Sequence, residues 1–137
     1  MKNILEKTTR QKQIEYWTTS AQHDLSVAET LFQNGKYDWC LFLAHLVLEK
    51  TFKALYVQNI GQLAPRIHDL VRIADMAKIE FEEETLKFLD AVNTFNISIR
   101  YPDEKFKFYK LCTVEFTENY FNQIKEIYKC LLQKITH

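Results

Sequence analysis

Two stretches decide the fold: Tyr37–Leu55, YDWCLFLAHLVLEKTFKAL, and Asn93–Asp103, NTFNISIRYPD. The first is one continuous helical pattern. Tyr37, Leu41, Ala44, Leu48, Phe52 and Leu55 make one apolar stripe, and Cys40, Leu43, Val47 and Ala54 make another. A helix apolar over so much of its circumference belongs at the centre of a bundle. Within it His45, Glu49 and Lys53 recur at a spacing of four, which makes them neighbours along one helix edge. The second stretch sets Asn93, Asn96 and Arg100 along a helix face. Pro102 ends it, because proline disfavours helix at the residue before it, Tyr101. Two polar stripes on otherwise apolar helices are the best candidates for a shared site.

Outward from these stretches the same period continues. Residues 1–9 read as a polar lead-in, and a first helix is expected over about Arg10–Asn34. Its inward stripe is Trp17, Ala21, Leu25, Ala28, Leu31 and Phe32, with Trp17 buried, and Asn34-Gly35 stops it. The second helix spans about Lys36–Asn59 and ends before Gly61. After Pro65 a short helix is expected over His68–Ala77. A further helix follows over Glu82–Arg100, favoured by the acidic run Glu82-Glu83-Glu84 in its first turn. An irregular, aromatic-rich stretch, EKFKFYKLC, precedes a last helix over Cys112–Ile135. The expected fold is all-α: an antiparallel, up-down helical bundle of four long helices plus one short one, with residues 1–137 forming a single domain.

Composition bounds the rest. A chain of 137 residues is enough for one core and too short for two comfortable ones. At 47% hydrophobic residues it can fold without disulfides or metal, and two glycines and two prolines are too few for a sandwich of many short strands. Lysine plus arginine equals aspartate plus glutamate at 18 each, so the whole-molecule field is not that of a generic polyanion binder. Binding of a nucleotide or RNA would need a local basic patch. Cys40, Cys112 and Cys130 show no CxxC or Cys/His spacing, which argues against zinc and for reduced thiols. No signal-type apolar core and no run of about eighteen apolar residues occurs, so a cytoplasmic protein without a membrane span is expected. No glycine-rich phosphate loop, HExxH, GxSxG or EF-hand pattern is present, and no cofactor or metal is expected.

Each candidate residue has two readings. Glu49 could accept from His45 or Lys53 in a site where Lys53 meets a phosphate, or the three could be an exposed face with a routine Glu–Lys pair. Asp24 lies almost on an apolar stripe and, if buried, needs a cation: Lys50, Lys53 or Arg100. Asn93, Asn96 and Arg100 suit phosphate or base edges, or hydrogen bonding between helices. His68-Asp69 reads as a capping arrangement at a helix start. Phe106, Phe108 and Tyr109 read as core or dimer interface rather than a base-stacking platform.

Several of these features occur together, in order, in one family. Ala21, Asp24-Leu25 and Ala28 are followed by Gly35-Lys36-Tyr37. AHLVLEKTFKAL then spans Ala44–Leu55, with Glu49, Lys50, Lys53, Ala54 and Leu55 as its signature. Pro65, His68-Asp69-Leu70, Asn93 and Arg100-Tyr101-Pro102-Asp103 complete the set. Over about Trp17–Leu132 the chain resembles the HEPN domain family. The resemblance implies a helical bundle that usually dimerises and binds nucleotides or RNA. Some members are encoded beside small nucleotidyltransferases, which makes such a protein a possible partner. Many members are metal-independent RNases that depend on R-x4-6-H, the arginine holding phosphate and the histidine doing acid/base work. No arginine of this chain has a histidine at that spacing. The expectation is therefore a homodimeric, non-catalytic binding protein. The alternatives are a divergent RNase using His45 or His68, and a protein-interaction module without nucleotide affinity.

Overall fold

The computed structural model describes residues 4–136. It contains α1 (Lys7–Gln33), α2 (Tyr37–Ile60), α3 (Leu70–Met76), α4 (Glu83–Ser98), α5 (Pro102–Leu111) and α6 (Val114–Leu132), with no strand among the described residues. Successive long helices alternate in direction along the chain, which leaves the adjacent α2 and α6 parallel, with Gln58 at the end of α2 bonded to Lys134 and Thr136 just past the end of α6. Lys53 near the end of α2 meets Trp17 near the start of α1, and Phe52 meets Phe81 just before α4. Phe32 at the end of α1 meets Phe121 in the first half of α6, while Phe95 of α4 meets Phe116 of α6. The all-α up-down bundle is thus the architecture.

α2 is the central element, as its two apolar stripes require. Cys40, Leu41, Ala44, Val47, Leu48, Phe52, Ala54 and Val57 have no exposed surface. The helix ends at Gly61 in the left-handed conformation (φ 78°), which glycine adopts without Cβ strain. A side chain there would also strike the Arg10 guanidinium, because an added Cβ would lie 2.5 Å from its Nη2. Leu5 N–H donates to the Gly61 carbonyl (2.7 Å), fastening the entry of α1 to the exit of α2.

Three expectations need correction. α1 starts at Lys7, so the lead-in is shorter than residues 1–9; residues 1–3 lie outside those described. Trp17 is half-buried rather than buried, packed against the core along one edge. The stretch EKFKFYKLC is helical, not irregular, and forms most of α5. Pro102 does break the chain's course after α4, but it then sits in the first turn of α5, where its missing N–H costs nothing and its fixed φ suits a helix. Asp103 and Glu104 in that first turn and Lys110 in the last complement the helix dipole. α5 folds back along α4, where Phe108 packs on Phe95 at 5.2 Å between ring centroids. Phe116 and Tyr120 of α6 complete this aromatic cluster, at 6.4 Å and 5.2 Å from Phe95.

The cysteines are unpaired and differ in access. Burial pushes the thiols of Cys40 and Cys112 up to about 12, whereas Cys130 is exposed on α6. Alkylation proceeds through the thiolate. Iodoacetamide at pH 8 should therefore modify one thiol per folded chain, Cys130, and all three in denaturant, as read by intact mass. Modification of two or three thiols in the folded protein would contradict this core.

Candidate functional site

The edge of α2 that carries His45, Glu49 and Lys53 is not a solvated face. Glu49 is only 4% exposed and is the hub of a polar cluster. Its Oε2 accepts from Lys53 Nζ at 3.0 Å, one helical turn on. His68, from the loop before α3, brings Nδ1 to 3.1 Å from Oε1 and 3.2 Å from Oε2. His45 Nδ1 stands 3.8 Å from Oε1, beyond hydrogen-bond reach. Lys53, itself buried, also lies 5.3 Å from the Trp17 ring centroid, so its ammonium has a carboxylate on one side and a π face on the other. Lys53 is thereby used up inside the protein and has no surface to offer a phosphate.

His45 has no exposed surface. Its Nε2 lies 3.2 Å from the His68 carbonyl oxygen, and a carbonyl only accepts, so Nε2 carries the hydrogen. That leaves the Nδ1 lone pair without a partner beside Glu49. Burial holds the imidazole below its ordinary pKa, with the Glu49 carboxylate opposing only in part. His45 is a neutral strut under the His68 loop.

His68 differs because 53% of its side chain is open to solvent. Glu49 fixes the hydrogen on Nδ1, so the lone pair is on Nε2, at the opposite edge of the ring. The sequence reading made His68-Asp69 a cap. Asp69 alone caps, accepting from Arg72 N–H at 3.3 Å, and it also accepts from Asn93 Nδ2 at 2.9 Å. Asn93 Oδ1 in turn accepts from Leu70 N–H at 2.8 Å. Asn93 therefore pins the start of α3 to α4, and both ends of its amide are occupied.

Asn96 and Arg100 lie further along α4. Asn96 Oδ1 accepts from Arg100 Nε at 3.2 Å and Nη2 at 3.1 Å, a two-point grip on an exposed guanidinium. Arg100 bonds to no member of the Glu49 cluster among the described residues. Asp24 takes Lys50 as its cation (2.7 Å), and Lys50 also donates to Ser20 (2.8 Å), locking α1 to α2. The six candidates thus divide. His45, Glu49 and Lys53 form a buried cluster with the half-open His68, the half-buried Asn93 holds the adjoining Asp69 and Leu70, and the buried Asn96 grips the exposed Arg100. The arrival of His68 at Glu49 was not legible, because nothing in the spacing says which way the Pro65 loop folds. No group of histidine, cysteine and acidic residues among those described is arranged to hold a metal.

His45 gives the cluster a pH dependence. Its folded pKa lies below the ordinary value of 6.5, so below that pH the unfolded chain binds the proton more readily. The stability His45 contributes is complete above about pH 6.5 and falls as the pH drops towards the lowered folded value. Urea unfolding at pH 7.5 and 5.5 should show a loss on acidification that shrinks in His45→Gln. An equal loss in both proteins would refute the neutral strut.

A family model for the HEPN domain matches residues 14–135. None of the curated proteins matches the chain. The fold is similar to that in the crystal structure of TT1696 from Thermus thermophilus, with a TM-score of 0.76 at 18% identity, over 90% of this chain and 98% of that one. At that identity the likeness speaks for the fold. With the family model spanning all the helices that carry the polar network, the chain belongs to the HEPN domain family.

Proposed function

We propose that this HEPN protein is a non-catalytic, homodimeric accessory protein. It binds a phosphate-bearing ligand, a nucleotide or RNA, and works beside a small nucleotidyltransferase in a toxin–antitoxin type pairing. The observation that carries the reading is Arg100. Its guanidinium is exposed and already oriented by Asn96, and two of its five N–H groups are used there. The remaining donors suit a phosphate in charge-assisted, bidentate geometry. Lys105, one turn into α5, holds its ammonium 4.9 Å from the Trp39 ring centroid and adds local positive charge to a molecule of zero net charge. The buried cluster of His45, Glu49 and Lys53 with His68, and the bonds of Asn93 to Asp69 and Leu70, hold the loop before α3 against α2 and α4. The protein's three unpaired cysteines suit a reducing compartment, and the reading takes that to be the cytoplasm.

ATP, GTP and a short RNA should be titrated against wild type and Arg100→Ala, with folding checked by circular dichroism. The expected result is modest affinity that weakens with salt and falls about tenfold or more in Arg100→Ala. Equal binding by both proteins, or binding by neither, would remove Arg100 from this role.

One observation favours a second reading, a divergent metal-independent RNase. Glu49 orients His68 as a carboxylate orients a catalytic imidazole, with Nε2 free at the open edge. His45, with no exposed surface, cannot take that part. In this reading Nε2 takes the proton of a ribose 2′-hydroxyl. The 2′-oxygen then bonds to phosphorus, the bond to the 5′-oxygen breaks, and that oxygen leaves with a proton from solvent. The leading reading expects no cleavage of total RNA by pure protein. Cleavage lost in His68→Ala and retained in His23→Ala would overturn it, since a general base contributes roughly 10²–10⁴-fold.

A further inference from the structure

The histidines among the described residues stand in three different settings. His23 is exposed on α1 and bonds to no side chain there, and His45 is sealed in the core. His68 is both held and open. Its Nδ1 meets the two Glu49 oxygens at 3.1 Å and 3.2 Å, while 53% of the side chain faces solvent. Glu49 is in turn held by Lys53 at 3.0 Å. The backbone is pinned on both sides of the ring. The His68 carbonyl rests on His45 at 3.2 Å, and Leu70 N–H donates to Asn93 at 2.8 Å. A nucleophile, a carboxylate that steers it and a third group that steers the carboxylate make up the arrangement used in covalent catalysis.

The open edge of the ring shows which member would react. Among the described residues the imidazole bonds only to Glu49, so Nε2 has no hydroxyl or thiol of the protein to activate. The nucleophile is then the imidazole itself. The hydrogen on Nδ1 leaves the lone pair on Nε2, and Glu49 balances the positive charge that the ring acquires when that lone pair forms a bond. Before the bond forms, Lys53 offsets the Glu49 charge, which lessens repulsion of an arriving anion. Arg66 and Arg72, exposed on the same segment, offset the exposed Asp69 and Asp75. A ring that becomes cationic favours an electrophile that brings negative charge with it. A phosphoryl group does so. An acyl group does not, and an acyl imidazole at a wet edge is soon hydrolysed.

We propose that His68 Nε2 is a phosphoryl acceptor that takes its phosphate from an acyl phosphate. The Nε2 lone pair forms the bond to phosphorus. The bond from phosphorus to the acyl oxygen breaks, and the carboxylate leaves with that electron pair. The proton stays on Nδ1, shared with Glu49, so the ring becomes an Nε2-phosphoimidazolium. No proton enters or leaves, and nothing is oxidised or reduced. Glu49 is the positioning residue, with Lys53 behind it. The step differs from the RNase reading, in which the same Nε2 takes a proton, and it does not rest on ligand binding at Arg100.

The probes are acetyl phosphate and, as a smaller donor to imidazoles, phosphoramidate, each added to the full chain at neutral pH. Intact mass should rise by one phosphoryl group, and peptide mapping should place it on His68, with labelling about tenfold or more faster than at His23. Phosphorus NMR should give the Nε2 isomer, and brief acid treatment should remove the group. In urea the preference for His68 over His23 should vanish, because only the fold supplies Glu49. His68→Gln should abolish the labelling and His23→Gln should leave it unchanged. Glu49→Gln keeps an acceptor for the Nδ1 hydrogen but removes the charge, and should slow labelling about tenfold or more with circular dichroism unchanged. Should that variant fail to fold, the urea comparison reads the same dependence. No labelling by either donor, attachment at Nδ1, or equal labelling of His23 and His68 in the folded protein would overturn the proposal. So would RNA cleavage that depends on His68 without any labelling, since His68 would then be a base. Labelling of His68 without RNA cleavage would uphold it and sink the RNase reading.

Discussion

The buried Glu49–Lys53 pair organises the bundle around it. Neither charge can stay in the core alone, and removing one partner of such a pair typically costs about 3–5 kcal/mol because the other is left behind. A single lysine at 3.0 Å does not satisfy both carboxylate oxygens, so Glu49 also recruits His68 from a different part of the chain. That recruitment fixes the loop after α2. The His68 carbonyl then rests on His45, Asp69 meets Asn93, and α3 is set against α4. One ion pair on the central helix thereby determines where the short helix and the following long helix lie.

Burial separates scaffold from working surface. Both Glu49 oxygens and the Lys53 ammonium are taken up by protein partners inside the bundle, which leaves them inaccessible. Arg100 and His68 are the two groups that take orientation from this interior while facing water: Arg100 through Asn96, His68 through Glu49. Preorganisation of this kind lowers the ordering cost of binding. It also explains how a chain with balanced charge can present a directed cation. The protein partner of Arg100 is a neutral amide, so its charge is not cancelled locally.

Pro102 has a double role that a local reading halves. It ends the approach of α4 to Tyr101 and at once begins α5, so two helices meet at a sharp corner instead of a loose aromatic loop. The corner turns Phe108 inward to Phe95 and leaves Phe106 and Tyr109 outward. α5 owes its place to one buried ring and its capping charges, and its outer face is open.

Local sequence was enough to establish the helical class, the central position of α2, and the boundaries near Gly35, Gly61 and Pro102. Periodicity and backbone restrictions act over a few residues and need no distant partner. Leu41, Leu48, Phe52 and Leu55 announce a buried helix wherever its neighbours lie. The sequence also marked Glu49, Lys53, Asn96 and Arg100 as belonging to polar stripes, since residues four apart on a helix must be adjacent. Which stripe is buried and which faces water was settled by the packing of the whole chain. That choice depends on contacts between distant segments: Trp17 over Lys53, His68 against Glu49, and Lys50 rather than Lys53 or Arg100 on Asp24. The folding-back of α5 was equally out of reach, because proline as a helix stop and proline as a helix start read the same until the next helix has something to pack against.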